Sequence, residues 1–515
     1  MKKRGFLILF ICAALVLGSC KGAGGKAESP VSPVLTEDNP WAEVTDLSSH
    51  AEVSVVVFGN RPNDFDEVLQ KINERMTALI NTEISVRFVT LSEWPVVYPL
   101  LLSGGENIAL IYTASWCHYS QEALRGAYTE LSSDFVSKYM PVSYRDTPER
   151  VWKQAAAGGK VYALPRTYTD CSSYASVLIR KDILDKTGIK EVKSFDDYEK
   201  FLLACTKLSG DGYGLNAFPS LPMVRELMLP REHMLTLTEE LVWDTDDGAA
   251  SADKIQFLYD TDEYLTFCLR MARWAEEGVW PKNAISGTIH TNIQFEEGRS
   301  YSIMVRMHEA QVYLDAIEAK GYSGCLSCIL DPEAYVKQND YSGDMMAISS
   351  FSRDPGRAAL CLDVLKNDRE INLLCQGGIE GKHYILNADG TRSQGSKHTD
   401  YIWSDWAWAL RNEKIYPEER RTEEVQRVSE EVNKHMIPEE MWPFDGLRLS
   451  DAGCEAELSV IRSLIQEYEY SFNLGVYGDE TEKKVQEFRA SLQEAGLPKV
   501  MESWRTQIEE FLSQK

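Results

Sequence analysis

Side chains suited to gripping a small hydroxylated molecule gather at four places in this chain. Thr113, Ser115, Trp116, His118 and Tyr119 follow the apolar run Ala109 to Tyr112. Arg166, Thr167, Tyr168 and Asp170 follow Tyr162 to Pro165, and Arg306, Met307 and His308 follow Ser302 to Val305. The fourth place, Tyr401 to Trp408, holds Trp403, Asp405 and Trp406 in the densest aromatic cluster of the sequence. A sugar presents apolar C–H faces and a rim of hydroxyls, so it needs flat aromatic platforms beside fixed polar partners. Trp116 with Tyr119 meets that need, and Trp403 and Trp406 could line the same mouth. The alternative for each tryptophan is packing under a neighbouring helix, since tryptophan is usually largely buried. Arg166 could fork onto two hydroxyls or a carboxylate, and could equally be a structural salt bridge. His308 reads either as a ligand contact or as a hydrogen-bonded loop residue.

Covalent and metal chemistry find less support. The chain has no HExxH and no GxSxG. Its 79 acidic residues allow a pair to be nominated for glycoside cleavage anywhere, so such a nomination carries no information. Trp116-Cys117-His118-Tyr119 lacks the second cysteine of a redox motif. Nine cysteines lie beyond Cys20, an odd number that leaves at least one thiol free if the rest pair. Cys268 and Cys361 sit in apolar helical patterns and read as core residues. Cys325 and Cys328 have the spacing of a metal-ligand pair, but no second pair completes four ligands, so ordinary packing or a local disulfide is the expected reading. No metal and no cofactor is expected. With 79 acids against 54 bases the net charge is −25, which repels phosphate backbones and argues against nucleic acid.

The elements that must position these residues alternate. Glu52 to Phe58 (EVSVVVF) and Glu83 to Val89 (EISVRFV) read as strands around a helix with apolar Val68, Leu69, Ile72, Met76, Leu79 and Ile80. Ala109 to Tyr112, Ser176 to Ile179, Ser302 to Val305 and Asp344 to Ser349 read as further strands, with an amphipathic helix over Tyr264 to Glu277. From Pro355 the pattern is mainly helical. Strands alternating with helices at this spacing predict a parallel α/β sheet. A length of 515 residues allows two or more lobes. In open α/β sheets ligands lie outside the carboxyl ends of strands, which points to the loops after Tyr112, Pro165, Val305 and Ser349.

The first residues form a separate unit. Lys2, Lys3 and Arg4 precede an apolar run from Phe6 to Leu17, too short for a span of about 20 residues, and Leu17-Gly18-Ser19-Cys20 closes it. This reads as an export signal ending at a lipidated Cys20. The Gly-, Ser- and Pro-rich stretch that follows reads as a flexible tether. The expected layout is a signal peptide over 1–19, anchor and tether over 20–50, and a first lobe from 51–165 with 329–353. A second lobe follows over 166–328, and a mainly helical C-terminal region over 354–515 packs on both.

Leu102 to Glu106, Leu110 to Trp116, Gly126 to Leu131, Gly159 to Pro165, Phe295 to Arg299, Gly378 to Tyr384 and the ending Leu497 to Leu512 occur in a characteristic order. By these segments the chain resembles bacterial extracellular solute-binding proteins of ABC importers, of the sugar-binding lipoprotein type. Ala109 departs from the pattern, where Asp usually precedes the strand. The resemblance implies an α/β, two-lobe periplasmic-binding-protein-like (type II) fold with lobes closing over a ligand. It implies a mono- or oligosaccharide as ligand, an ABC permease as partner, attachment to the membrane through the lipid anchor on the extracytoplasmic face, a monomer, and no enzyme activity. The absence of GxxxxGK[ST] agrees with a binding subunit. The same fold would serve a sensory receptor or a peptide-binding protein. An aromatic platform is expected where Arg306 to His308 stand, and its absence argues against a long glucan. Lys382, His383 and Tyr384 are expected to shape an irregular turn.

Overall fold

The computed structural model describes residues 39–514 apart from 91, 169–170, 172–173, 217–220, 246–249, 288, 402–404 and 419. The β-branched run Ala51–Phe58 is the centre of the first lobe's parallel pairing, with Thr82–Val89 on one side and Leu110–Thr113 on the other. Between Ala51–Phe58 and Thr82–Val89 runs the helix Phe65–Ile80, which buries Phe65, Val68, Ile72, Met76 and Ile80 at helical spacing. Asn81 ends it in the left-handed region at φ 47. The strand Met345–Ile348 inserts antiparallel between Leu110–Thr113 and Ala163–Pro165, pairing Met345 with both Thr113 and Pro165. The carboxyl ends of the other four strands and the amino end of Met345–Ile348 therefore share one edge.

The second lobe is built on a sheet in the order Gly324–Cys328, Ser176–Arg180, Ser300–Val305, Tyr213–Leu215. Ser176 pairs with both Val305 and Cys328, so these three residues mark one edge of that sheet. The chain passes from Pro165 to Ser176 and from Cys328 to Met345, and each passage joins the marked edge of one sheet to that of the other. The two edges consequently face each other across the crossings, as the two-lobe fold requires. A smaller antiparallel sheet of Met234–Thr236, Leu241–Asp244 and Ile255–Phe257 completes this lobe, without a clear signal in the sequence.

The C-terminal helices divide between the lobes. Pro355–Asn367 and Arg369–Gly377 pack on the first, and Glu455–Asn473 and Thr481–Glu494 pack against Asp262–Glu277 of the second. Residues 442–448 strap the two together. Phe444 packs on Trp243 of the second lobe (5.3 Å between ring centroids), while Asp445 accepts from Arg150 Nε (2.5 Å) and Gln154 Nε2 (2.8 Å) of the first. No helix among the described residues is long and apolar enough to cross a membrane.

One expectation needs correction. The tether does not extend to residue 50: Trp41 and Leu47 are buried on the first lobe. The Trp41 indole N–H donates to Asp363 Oδ2 (2.8 Å), and Arg357 donates to the carbonyls of Asp46 (3.2 Å) and Ser49 (2.7 Å). Cys325 and Cys328 lie three apart on one strand, where side chains alternate faces, so they cannot converge on a metal or pair with each other. All nine described cysteines are free thiols. Cys117 is buried, and desolvation pushes its thiol up to about 12, far from a nucleophile. Cys20 lies outside the described residues.

The first crossing is held from below. Lys366 is buried, and its ammonium donates to the Pro165 carbonyl where the chain leaves the first lobe. The next amides, Thr167 N and Tyr168 N, both donate to the Arg411 carbonyl (2.9 and 3.3 Å). Burial lowers Lys366 to about 7, against smaller opposing pulls from Asp363 and Glu413. The unfolded chain keeps this proton up to the ordinary lysine range, while the folded chain releases it near neutrality. Between those values the unfolded state binds more protons, so this group makes stability rise with pH. Urea melts from neutral to alkaline pH should show Lys366→Met lacking a slope of up to about 1.4 kcal/mol per pH unit present in the wild type. Equal slopes would show that Lys366 does not titrate there.

Candidate functional site

Trp116 stands at the facing edge of the first lobe, three residues past the strand Leu110–Thr113. Its indole is 43% exposed, although the strand before it is wholly buried. The indole N–H donates to the Gly343 carbonyl of the second crossing (2.9 Å), which fixes the ring's direction. Around it stand Trp94 (5.8 Å between centroids, edge to face), Trp406 (6.0 Å), Tyr112 (6.1 Å) and Phe58 (6.3 Å). Trp94 and Trp406 are half-buried. Ser115 is exposed beside Trp116, its amide bonded to the Ser342 carbonyl (2.8 Å). The edge thus offers a braced aromatic wall with an exposed hydroxyl, the combination that stacks a sugar ring and bonds its rim.

Ser115, Trp116 and Trp406 stand together at this edge; Thr113, Tyr119 and Arg166 do not present their side chains there. Thr113 is fully buried, its hydroxyl 3.3 Å from that of Tyr128. Tyr119 is fully buried too, donating to the Ala155 carbonyl (2.6 Å) and accepting from Tyr162 N (3.0 Å). Both belong to the lobe's core: Thr113 ends a strand of a sheet covered on each face, and Tyr119 begins the helix Tyr119–Leu124 with its ring turned inward. The two readings of Arg166 resolve to the structural one. Its guanidinium is buried, paired with Asp344 Oδ2 (2.5 Å) and bonded to the Asp340 carbonyl (3.1 Å). Tyr168 packs on Tyr416 (4.7 Å between centroids) beside the crossing. Trp403, Asp170 and the Asp405 side chain lie outside the described residues. His383 shapes the turn as expected: Nδ1 accepts from Ile379 N (2.9 Å), and Nε2 lies 3.2 Å from Asp64 Oδ2.

The loop after Met345–Ile348 was also expected to face the cleft. Because that strand runs antiparallel, its amino end faces there instead, and Gly343 and Asp344 supply the contacts. The parallel strand Thr82–Val89 delivers Trp94 to the same edge, so the carboxyl-end rule applied to every strand would have found it.

On the second lobe Arg306 follows Val305 at the facing edge, its guanidinium 4.4 Å over the Tyr174 ring. His308 is exposed in the next turn. A groove of about 850 Å³ runs between the helix Met307–Glu318 and the hairpin Tyr384–Leu386/Arg392–Gln394. Tyr384 and Tyr401 line it, and its cations Arg392, Arg420 and Arg421 are matched by Asp315, Glu423 and Glu424. This volume lies in the upper range of small-molecule sites. The balanced charge and amide lining suit a long neutral polyol. Among the described residues no cluster of His, Cys, Asp and Glu could hold a metal ion.

Residues 445–513 match a family model described as a domain of unknown function (DUF3502). No curated protein sequence matches the chain. Solved structures do match. The N-glycan transport solute-binding protein of Streptococcus pneumoniae, in complex with Man1GlcNAc, superimposes with a TM-score of 0.67 at 17% identity, over 90% of this chain and 100% of that one. The alginate-binding protein AlgQ2 gives 0.66 at 14% identity, over 90% and 99%. An ABC-transporter substrate-binding protein of S. pneumoniae, in complex with kestose, gives 0.63 at 14% identity, over 91% and 100%. At these identities the likeness speaks for architecture, and the chain has the two-lobe fold of the ABC-transporter solute-binding proteins.

Proposed function

We propose that this chain is an exported, lipid-anchored protein that captures an oligosaccharide between its lobes and delivers it to the permease of an ABC importer. The observation that carries the reading is the half-exposed Trp116, braced by Trp94 and Trp406 at the edge facing the second lobe. The groove of about 850 Å³ favours several sugar units over one. The names of the similar structures, two in complex with Man1GlcNAc and kestose and one an alginate-binding protein, support the same ligand class. The basic head, short apolar run and Gly-Ser-Cys20 motif support the anchor. The aromatic and amide groups of the site support capture without turnover.

Thermal melting of residues 21–515 against neutral oligosaccharides, monosaccharides and short peptides tests this. A bound ligand at a hundredfold excess over Kd should add about 2.7 kcal/mol. Oligosaccharides should raise the melting temperature most, and be recovered intact after a day by mass spectrometry. A response to peptides alone, or recovery of cleaved sugar, would reject the reading.

A further inference from the structure

A side-chain amide has a donor end and an acceptor end, and one buried amide of this chain uses only the first. The helix Arg369–Gly377 places Asn372 and Gln376 four residues apart, on one face. Asn372 is fully buried, and its Nδ2 donates to the carbonyls of Lys366 (3.0 Å) and Leu410 (2.9 Å). Its Oδ1 is left to accept, and Gln376 Nε2 donates to it. These bonds fix which way round the Gln376 amide stands. The nitrogen is turned back to Asn372, which leaves Oε1 for the groove of about 850 Å³ that Gln376 lines. Gln376 is 5% exposed, and its Oε1 accepts no hydrogen bond from any described residue. A buried acceptor without a donor is costly to the fold, and such groups are few in native proteins. Tyr401 lines the same groove and donates to the Cys375 carbonyl (3.1 Å), one residue before Gln376. Five residues after Tyr401, Trp406 stands in the tryptophan wall, so a short stretch of chain joins the groove to the wall.

We infer that Gln376 is a specificity-determining residue of the groove, its Oε1 accepting from a hydroxyl of one saccharide unit seated there. The inference rests on the carbohydrate reading above and adds to it one residue and the chemistry of its contact. An acceptor of fixed direction requires a donor from the ligand. A sugar hydroxyl supplies one, whereas a ring oxygen, a glycosidic oxygen or a carboxylate does not. A site built around a hydroxyl rejects a unit that lacks it more strongly than an apolar pocket rejects a missing methylene, because the buried group is then left unpaired.

The test compares the wild type with Gln376→Met and Gln376→Glu in a pool of neutral manno-, malto- and fructo-oligosaccharides. Bound ligand stabilises by RT ln(1 + [L]/Kd), so the amount of pool that gives a set rise in melting temperature reports affinity. Methionine keeps the length of the side chain and has only a weak acceptor. Gln376→Met should need about tenfold more of the pool than the wild type, the loss of one neutral hydrogen bond. Glutamate keeps an acceptor for the groove but sets a carboxylate against Asn372 Oδ1. Gln376→Glu should therefore melt lowest of the three without sugar, yet need no more than about threefold the wild-type amount. Binding and stability would then rank the two variants in opposite orders, which a merely structural role would not produce. If Gln376→Glu does not fold, the comparison with Gln376→Met decides alone. A Gln376→Met protein that responds like the wild type, or two variants that lose affinity alike, would overturn the assignment and leave the carbohydrate reading standing. If the pool does not stabilise the wild type, both fall together.

Discussion

Replacing Asp344 with alanine should destabilise the fold by about 3–5 kcal/mol, the loss expected when one partner of a buried ion pair is removed. Arg166 is 5% exposed and Asp344 6%, and their ion pair measures 2.5 Å. Asp344 Oδ1 also accepts from the Tyr112 hydroxyl at 2.9 Å, beneath the tryptophan wall. Arg166 begins the first crossing and Asp344 ends the second, so the pair ties the two passages together where the lobes must hinge. The double variant Asp344→Ala with Arg166→Met should recover a large part of the loss, since no charge is then left unpaired. Urea unfolding of the two single variants and the double variant measures this directly. Had Arg166 been held ready for a ligand, Asp344→Ala would change affinity and leave the midpoint within about 0.5 kcal/mol.

The residues that could be read from sequence are those whose role is set locally. Trp116 follows an apolar strand by three residues, and the carboxyl-end rule puts it at that edge of the sheet whatever the rest of the chain does. The strands EVSVVVF and EISVRFV and the helix between them follow from periodicity alone. What sequence could not give depends on partners far along the chain. The Arg166 reading turns on Asp344, 178 residues away, and the burial of Trp41 turns on Asp363, 322 residues away. Thr113 is buried because alternation says only which face a strand residue takes, and in this lobe both faces are covered; Tyr119 is buried on a helix through Ala155 and Tyr162, 36 and 43 residues away. The direction of Met345–Ile348 was hidden because an antiparallel return strand has the same composition as a parallel one.

Trp116→Ala should weaken oligosaccharide binding by about 1–3 kcal/mol, roughly 5- to 150-fold, the worth of one well-covered apolar contact. The same change should cost the fold less than about 1.5 kcal/mol. At 43% exposure the ring already spends much of its face on solvent, and its one hydrogen bond, to the Gly343 carbonyl, is a partly exposed one worth about 1 kcal/mol. Trp274 supplies the contrast: it is fully buried in the second lobe, and truncating it should cost about 3–5 kcal/mol of stability. Trp116→Phe separates the two uses of the indole. Phenylalanine keeps an aromatic face for the ring of a sugar and loses the N–H that aims it, so affinity should fall only a few-fold if stacking dominates. Calorimetry with a neutral oligosaccharide that raises the melting temperature, together with urea melts of the three variants, gives both quantities. A Trp116→Ala protein that binds as tightly as the wild type but melts like Trp274→Ala would place the ring in the core. The ligand would then have to be sought along the Tyr384–Arg392 groove, without the tryptophan wall.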